Sequence, residues 1–125
     1  MNSLGDLERR IMDVLWDSEP WLTVREVVTR LSDRDLAYTT VMTVMNRLTG
    51  KDFLLRERTE DGRTWRYRPA AGREAYVAEL MLSALSETGD RIAALSHFAR
   101  SVTVEEAEAL REALPDEAGP YRERP

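Results

Sequence analysis

The stretch AYTTVMTVMNRLTGKDFL, residues 37–54, decides how this chain is read, together with LLRERTEDGRTWRYRP, residues 54–69. At 100° per residue, Val41, Val44, Met45 and Leu48 fall on one helical face about 100° wide, which predicts a core-facing stripe. Thr39, Thr43 and Asn46 lie opposite, with Met42 and Arg47 at the flanks. An ordinary solvent face carries Glu and Lys, because those residues favour helix. Thr39, Thr40 and Thr43 are poor helix formers, and solvation alone does not account for them. They give the helix a small, hydrogen-bonding outer face.

The following sixteen residues read as two short alternating runs around Glu60-Asp61-Gly62. Asp-Gly is a strong hairpin signal. Leu55 and Glu57 alternate with Arg56 and Arg58 in the first run, and Trp65 and Tyr67 with Arg66 and Arg68 in the second. Pro69 ends the second run.

Upstream, Leu7, Ile11, Val14 and Leu15 have helical spacing, with Asp6 as the expected N-cap and a stop near Asp17–Pro20. Thr23 caps a second helix, with Glu26 three residues on as a capping box requires, and Val24, Val27, Val28 and Leu31 as its stripe. Residues 32–36 form the turn into the third helix. Three helices and a hairpin in this order predict a winged helix-turn-helix, the hairpin being the wing.

Beyond Gly72 the pattern is purely helical. Tyr76, Val77, Leu80, Met81, Ala84 and Leu85 make one broad stripe, and Ile92, Leu95, Phe98, Ala99 and Val102 a second. Thr103 caps a third helix bearing Ala107, Leu110 and Leu114. Exposing these residues would leave an apolar patch larger than monomers usually tolerate. Pairing with the same segment of a second chain is the simplest use of that surface, and folding back on the chain's own winged helix is the alternative. The dimerisation set is therefore Tyr76, Val77, Leu80, Met81, Ala84, Leu85, Ile92, Leu95, Phe98, Val102, Leu110 and Leu114. The fold class is mainly α with a small β-hairpin: a winged-helix domain over residues 1–71, a helical dimerisation region over 72–114, and a polar tail over 115–125, expected to be disordered.

With 125 residues, one small domain plus an appendage is the ceiling. The net charge of −5 hides an uneven distribution. Residues 36–70 hold seven bases against four acids, whereas the flanking segments are net acidic. A basic middle between acidic ends fits a local anionic partner. All but one of the 18 bases are Arg, whose forked donors suit phosphates and guanine edges. There is no cysteine, and His97 is the single histidine, which excludes disulfides, thiolate sites and His-rich metal centres. No cofactor, metal site or catalytic constellation is expected, and the chain is not read as an enzyme. No apolar run approaches the ~20 residues of a membrane span, and no leader opens the sequence, so a cytoplasmic protein without membrane partners is expected.

This layout suits double-stranded DNA. Thr23 and Arg25, at the second helix's N-terminus, can meet a phosphate. The third helix would enter the major groove with Tyr38, Thr39, Thr40, Met42, Thr43, Asn46 and Arg47. The threonines would touch thymine methyls or bases, Asn46 an adenine edge, and Arg47 a guanine or phosphate. Lys51, Arg63 and Arg66 lie where backbone phosphates or an adjacent groove would be. Trp65, Tyr67, Trp16 and Trp21 read as packing residues. A winged helix gated by a small molecule in its C-terminal helices, and one used only for protein contact, remain the competing readings.

LGDLERRIMDVLW (4–16), TVREVVTRL (23–31), AYTTVMTVMNRLTGKDFLLRE (37–57), TWRYRP (64–69) and ALSHFARSVTVEEAEALR (94–111) together resemble the BlaI/MecI penicillinase-repressor family, its actinobacterial members most closely. The resemblance implies a repressor that binds a palindromic operator as a homodimer through interlocked C-terminal helices and controls β-lactamase or related genes. It places Tyr38, Thr39, Thr40, Thr43, Asn46 and Arg47 on the recognition helix. It also implies a regulatory protease as a partner, because some members are cleaved at an Asn-Phe bond within the dimerisation helices. The matching bond here is His97–Phe98, with the Phe kept and the Asn replaced. Copper-responsive relatives carry Cys near the C-terminus, and this chain has none.

Overall fold

In the computed structural model, which describes residues 4–18, 20–31 and 36–115, α1 (Asp6–Trp16), α2 (Val24–Leu31) and α3 (Tyr38–Gly50) bury their apolar faces against one another. Ile11, Met12 and Leu15 from α1, Val27 from α2, and Val41, Met45 and Leu48 from α3 are almost wholly removed from solvent. Burial of each such side chain stabilises by roughly 1.5–3 kcal/mol. The stripe expected on α3 is thus its buried face, Val44 included.

Each helix end has a local cause. Gly5, not Asp6, is the N-cap of α1, and Glu8 Oε1 accepts the Gly5 N–H at 2.9 Å. Asp6 sits instead in the first turn, where its charge favours the helix dipole. The Thr23–Glu26 box forms as expected: Thr23 Oγ1 accepts the Glu26 N–H at 3.2 Å, and Glu26 Oε1 the Thr23 N–H at 2.8 Å. The C-terminus of α3 closes with the Asp52 N–H donating to the Thr49 carbonyl (3.1 Å) and the Phe53 N–H to that of Leu48 (2.9 Å). This double closure puts Asp52 at φ 69°, in the left-handed region. Most of the turn expected over residues 32–36 lies outside the described residues; Leu36 is half-buried against the core.

The wing strands are β2 (Leu54–Arg58) and β3 (Trp65–Pro69), antiparallel, with Arg58 opposite Trp65 and Arg56 opposite Tyr67. A two-residue strand, β1 (Leu22–Thr23), pairs with the other edge of β3 and makes a three-stranded sheet in the order β1-β3-β2. The sequence reading contains no such strand, because two residues are too short to show alternation. β1 leads straight into α2 and holds it against the wing.

The chain divides into two compact units, one running through Ser83 and the other from Ala84. α4 (Arg73–Leu85) begins within the first. Tyr76, expected in the dimerisation set, is instead buried there. Its ring lies 5.6 Å from that of Trp16 and 5.8 Å from that of Phe53, and its hydroxyl accepts the Leu4 N–H at 3.0 Å. Arg73 reaches Asp13 and Asp17 at 3.3 and 3.0 Å, and Trp16 Nε1 donates to the Ala71 carbonyl. The start of α4 is therefore clamped to α1.

The second unit holds α5 (Arg91–Ser101) and α6 (Val104–Ala113). Asp90 caps α5 by accepting the Ala93 N–H at 3.0 Å, and Thr103 with Glu106 forms a full capping box on α6. Neither helix buries a residue within the chain.

Candidate nucleic-acid interface

With one face of α3 spent on the core, its other face presents Tyr38, Thr39, Thr40, Thr43, Asn46 and Arg47 to solvent, with Met42 half-buried beside them. No carboxylate lies on this helix. The Arg25 guanidinium stands 5.5 Å from the centre of the Tyr38 ring, joining the start of α2 to the start of α3. Arg25 is thus placed as the cation at that end. The Thr23 hydroxyl is committed to its cap, and Glu26 Oε1 accepts the N–H of Thr23 itself.

Between α3 and the wing runs a groove of about 360 Å³, floored by Val24, Met42 and Tyr67 and edged by Tyr38, Asn46, Arg56 and Arg63. Its wing wall is built on Trp65. Arg56 and Arg58 stack on this ring with guanidinium carbons 4.1 and 4.3 Å from its centre. On the other side of the sheet, Arg66 and Arg68 lie 5.0 and 5.3 Å from the Trp21 ring. Arg56, Arg58 and Arg68 are missing from the sequence-based set. The strand register would have found the first two: a hairpin centred on Asp61-Gly62 puts Arg58 across from Trp65, with Arg56 on the same face.

The wing tip is held by Asp61, whose carboxylate accepts from the Thr59 hydroxyl (2.6 Å) and the Arg63 N–H (3.0 Å). These two bonds, the hydroxyl's first, hold the Asp61 carboxyl below its usual pKa. Gly62 follows at φ 73°, which an L side chain rarely adopts. Arg63 is exposed at this tip, as a contact to an adjacent groove requires.

Two of the expected phosphate contacts have acidic partners. Lys51 Nζ lies 2.9 Å from Glu8 Oε2, and Arg66 pairs with Glu57 on the neighbouring strand. The Gly5 N–H, then Lys51 and Arg47, hold the Glu8 carboxyl below the ordinary carboxylate range, against burial, which raises it. Asn46 is also engaged: its Oδ1 accepts from the Tyr67 hydroxyl at 3.1 Å and from Arg56 Nη1 at 3.3 Å.

In the remainder of the expected dimerisation set, Val77, Met81, Ala84, Ile92, Leu95, Phe98, Leu110 and Leu114 are exposed, Ile92 at 74% and Leu114 at 63%. Leu80, Leu85 and Val102 are half-buried. His97 and Phe98 are exposed within α5. Among the described residues no group of three His, Cys, Asp or Glu is placed to hold a metal ion, and no helix is long and apolar enough to cross a membrane.

Residues 4–116 match the family model described as penicillinase repressor. The chain is 48% identical, over 129 aligned positions, to the transcriptional regulator BlaI of Mycobacterium tuberculosis, in an alignment covering all of this chain and 92% of that protein. Among solved structures, a probable transcriptional regulator from Pseudomonas aeruginosa is similar in fold, with a TM-score of 0.50 and 20% identity over 89% of this chain and 76% of that one.

Proposed function

The chain belongs to the penicillinase repressor family, regulators of transcription and not enzymes, and we propose that it represses by gripping a palindromic operator as a homodimer. The observation that carries this reading is the exposed face of α3, small and hydroxyl-rich, beside an arginine-edged groove. Thr39, Thr40, Thr43 and Arg47 would read base edges from the major groove. Arg25, Arg63 and the tryptophan-stacked arginines would meet phosphates, which set affinity and its salt dependence.

The exposed apolar residues of the C-terminal helices support pairing with a second copy. A dimer would set two α3 helices about 34 Å or a multiple apart, so occupancy depends on both half-sites together. In this reading residues 1–71 with the first turns of α4 bind DNA, and the remainder of 72–114 dimerises. The family's name and the relative's identity support control of β-lactamase or related genes from the cytoplasm. Derepression follows from loss of the dimer. A regulatory protease acting at His97–Phe98 would first have to open α5.

Two exposed-site variants of the full chain test this. Thr43→Ala with Arg47→Ala touches no core residue and is expected to lower operator affinity by roughly tenfold to several hundredfold. Leu95→Asp with Phe98→Asp is expected to give monomers in sedimentation and to weaken binding by about a hundredfold or more. Wild-type affinity in the first variant refutes the reading helix. An intact dimer in the second refutes the assigned interface.

A further inference from the structure

Asn46 sits where α3 meets the wing, and its amide can face only one way. Arg56 Nη1 lies 3.3 Å from one amide atom, and a guanidinium donates but never accepts, so that atom is the oxygen. The Tyr67 hydroxyl approaches the same oxygen at 3.1 Å. Tyr67 is the firmer of the two donors, Arg56 being exposed. The Tyr67 ring is fixed in the core at 2% exposure, and Arg56 is stacked on Trp65. Both lone pairs of Oδ1 are therefore used within the protein, and the exposed residue offers the groove only its Nδ2–H donors.

An asparagine that recognises adenine needs both ends of its amide, Oδ1 accepting from N6 and Nδ2 donating to N7. That pairing is closed to Asn46 while the wing holds its oxygen. Resting on the DNA-binding reading above, we infer that Asn46 is a donor-only specificity residue. It selects a base that presents an acceptor in the major groove (guanine N7 or O6, thymine O4, or adenine N7) and is blind to the amino groups of adenine and cytosine. The same two bonds tie the wing to α3, so the wing fixes which half of the amide reads the base.

The test uses the full chain and the duplex it enriches from a random pool, with base analogues placed one position at a time. Replacing a purine by its 7-deaza form removes N7, replacing guanine by 2-aminopurine removes O6, and replacing thymine by its 4-deoxy form removes O4. Replacing adenine by unsubstituted purine removes only the amino group. One position per half-site is expected to lose roughly tenfold in affinity without its acceptor, and to be indifferent to the amino group. Asn46→Asp keeps two oxygens for Tyr67 and Arg56 but has no donor. It is expected to unfold like wild type and to lose the preference at that position alone, a pattern that a merely structural Asn46 would not give. Tyr67→Phe frees one lone pair and is expected to make the amino group of adenine matter at that step.

If removing the amino group costs wild type as much as removing the acceptor, or if Asn46→Asp leaves the base profile unchanged, the inference is overturned and the repressor reading stands. If the pool enriches no sequence, both fall together.

Discussion

Replacing Glu8 by Gln should cost about 1–2 kcal/mol of folding stability at neutral pH, and that cost should vanish in acid. The glutamate side chain is 10% exposed and joins two parts of the winged helix. Oε1 accepts the Gly5 N–H that starts α1, and Oε2 holds Lys51, the cap of α3, at 2.9 Å. Gln keeps an oxygen for Gly5, so the loss is the charged part of the pairing. A hydrogen bond to a charged group contributes roughly 1.5–3 kcal/mol, reduced here because the lysine side chain is 36% exposed. The folded-state pKa of Glu8 lies below its unfolded value, held down by the Gly5 N–H first and by Lys51 and Arg47 after it. Its contribution is therefore present above the unfolded pKa, near 4.3, and is lost as pH falls through the folded one. Urea unfolding followed by tryptophan fluorescence at pH 7 and at successively lower pH measures how the gap between wild type and variant narrows. A gap that persists in acid, or none at pH 7, refutes the reasoning. The same pair predicts that Lys51→Met leaves the slope of log affinity against log salt unchanged. A fall of about 0.9 would show the ammonium on a phosphate instead.

Asp52 occupies a left-handed position that glycine fills without strain, so Asp52→Gly is expected to stabilise by about 0.5–1 kcal/mol in urea unfolding. Gly62→Ala meets no atom within 4 Å, yet its φ of 73° should cost roughly 1 kcal/mol, through backbone strain at the wing tip rather than collision, read from the same unfolding curves. Thr103→Ala removes the acceptor for the Glu106 N–H and should cost about 1 kcal/mol, appearing as faster hydrogen exchange in the first turn of α6.

What the sequence showed best was what strict periodicity encodes. The four α3 residues assigned to the core are the four that are buried there, and Thr23 and Thr103 both cap the helices they were expected to cap. What it missed depends on distant pairing. β1 is too short to carry a pattern, and its existence follows only from its pairing with β3. Tyr76 belongs to an apolar stripe like its neighbours, and nothing local says that its ring closes on Trp16 and Phe53. Glu8, the partner of Lys51, and Tyr67, the buried partner of Asn46, lie 43 and 21 residues away, beyond any window in which charge or hydrogen bonding can be read.

The arginines show why counting charge in a segment is a coarse guide to a nucleic-acid surface. Lys51 and Arg66 have acidic partners, and each pair is locally neutral, so neither should add fully to the salt dependence of binding. Arg56, Arg58 and Arg68 are held by aromatic rings instead, and a ring fixes a guanidinium without neutralising it. A flexible arginine loses side-chain entropy when it docks on a phosphate, whereas a stacked one has lost much of it in folding. The residues passed over as ordinary wing alternation are thus better prepared for phosphate than two of those chosen for their position. Replacing Trp65 by Leu should accordingly weaken DNA binding while leaving the number of cations, and the salt slope, as they were. A salt slope that falls with the affinity would mean that the ring holds those charges on the phosphates themselves.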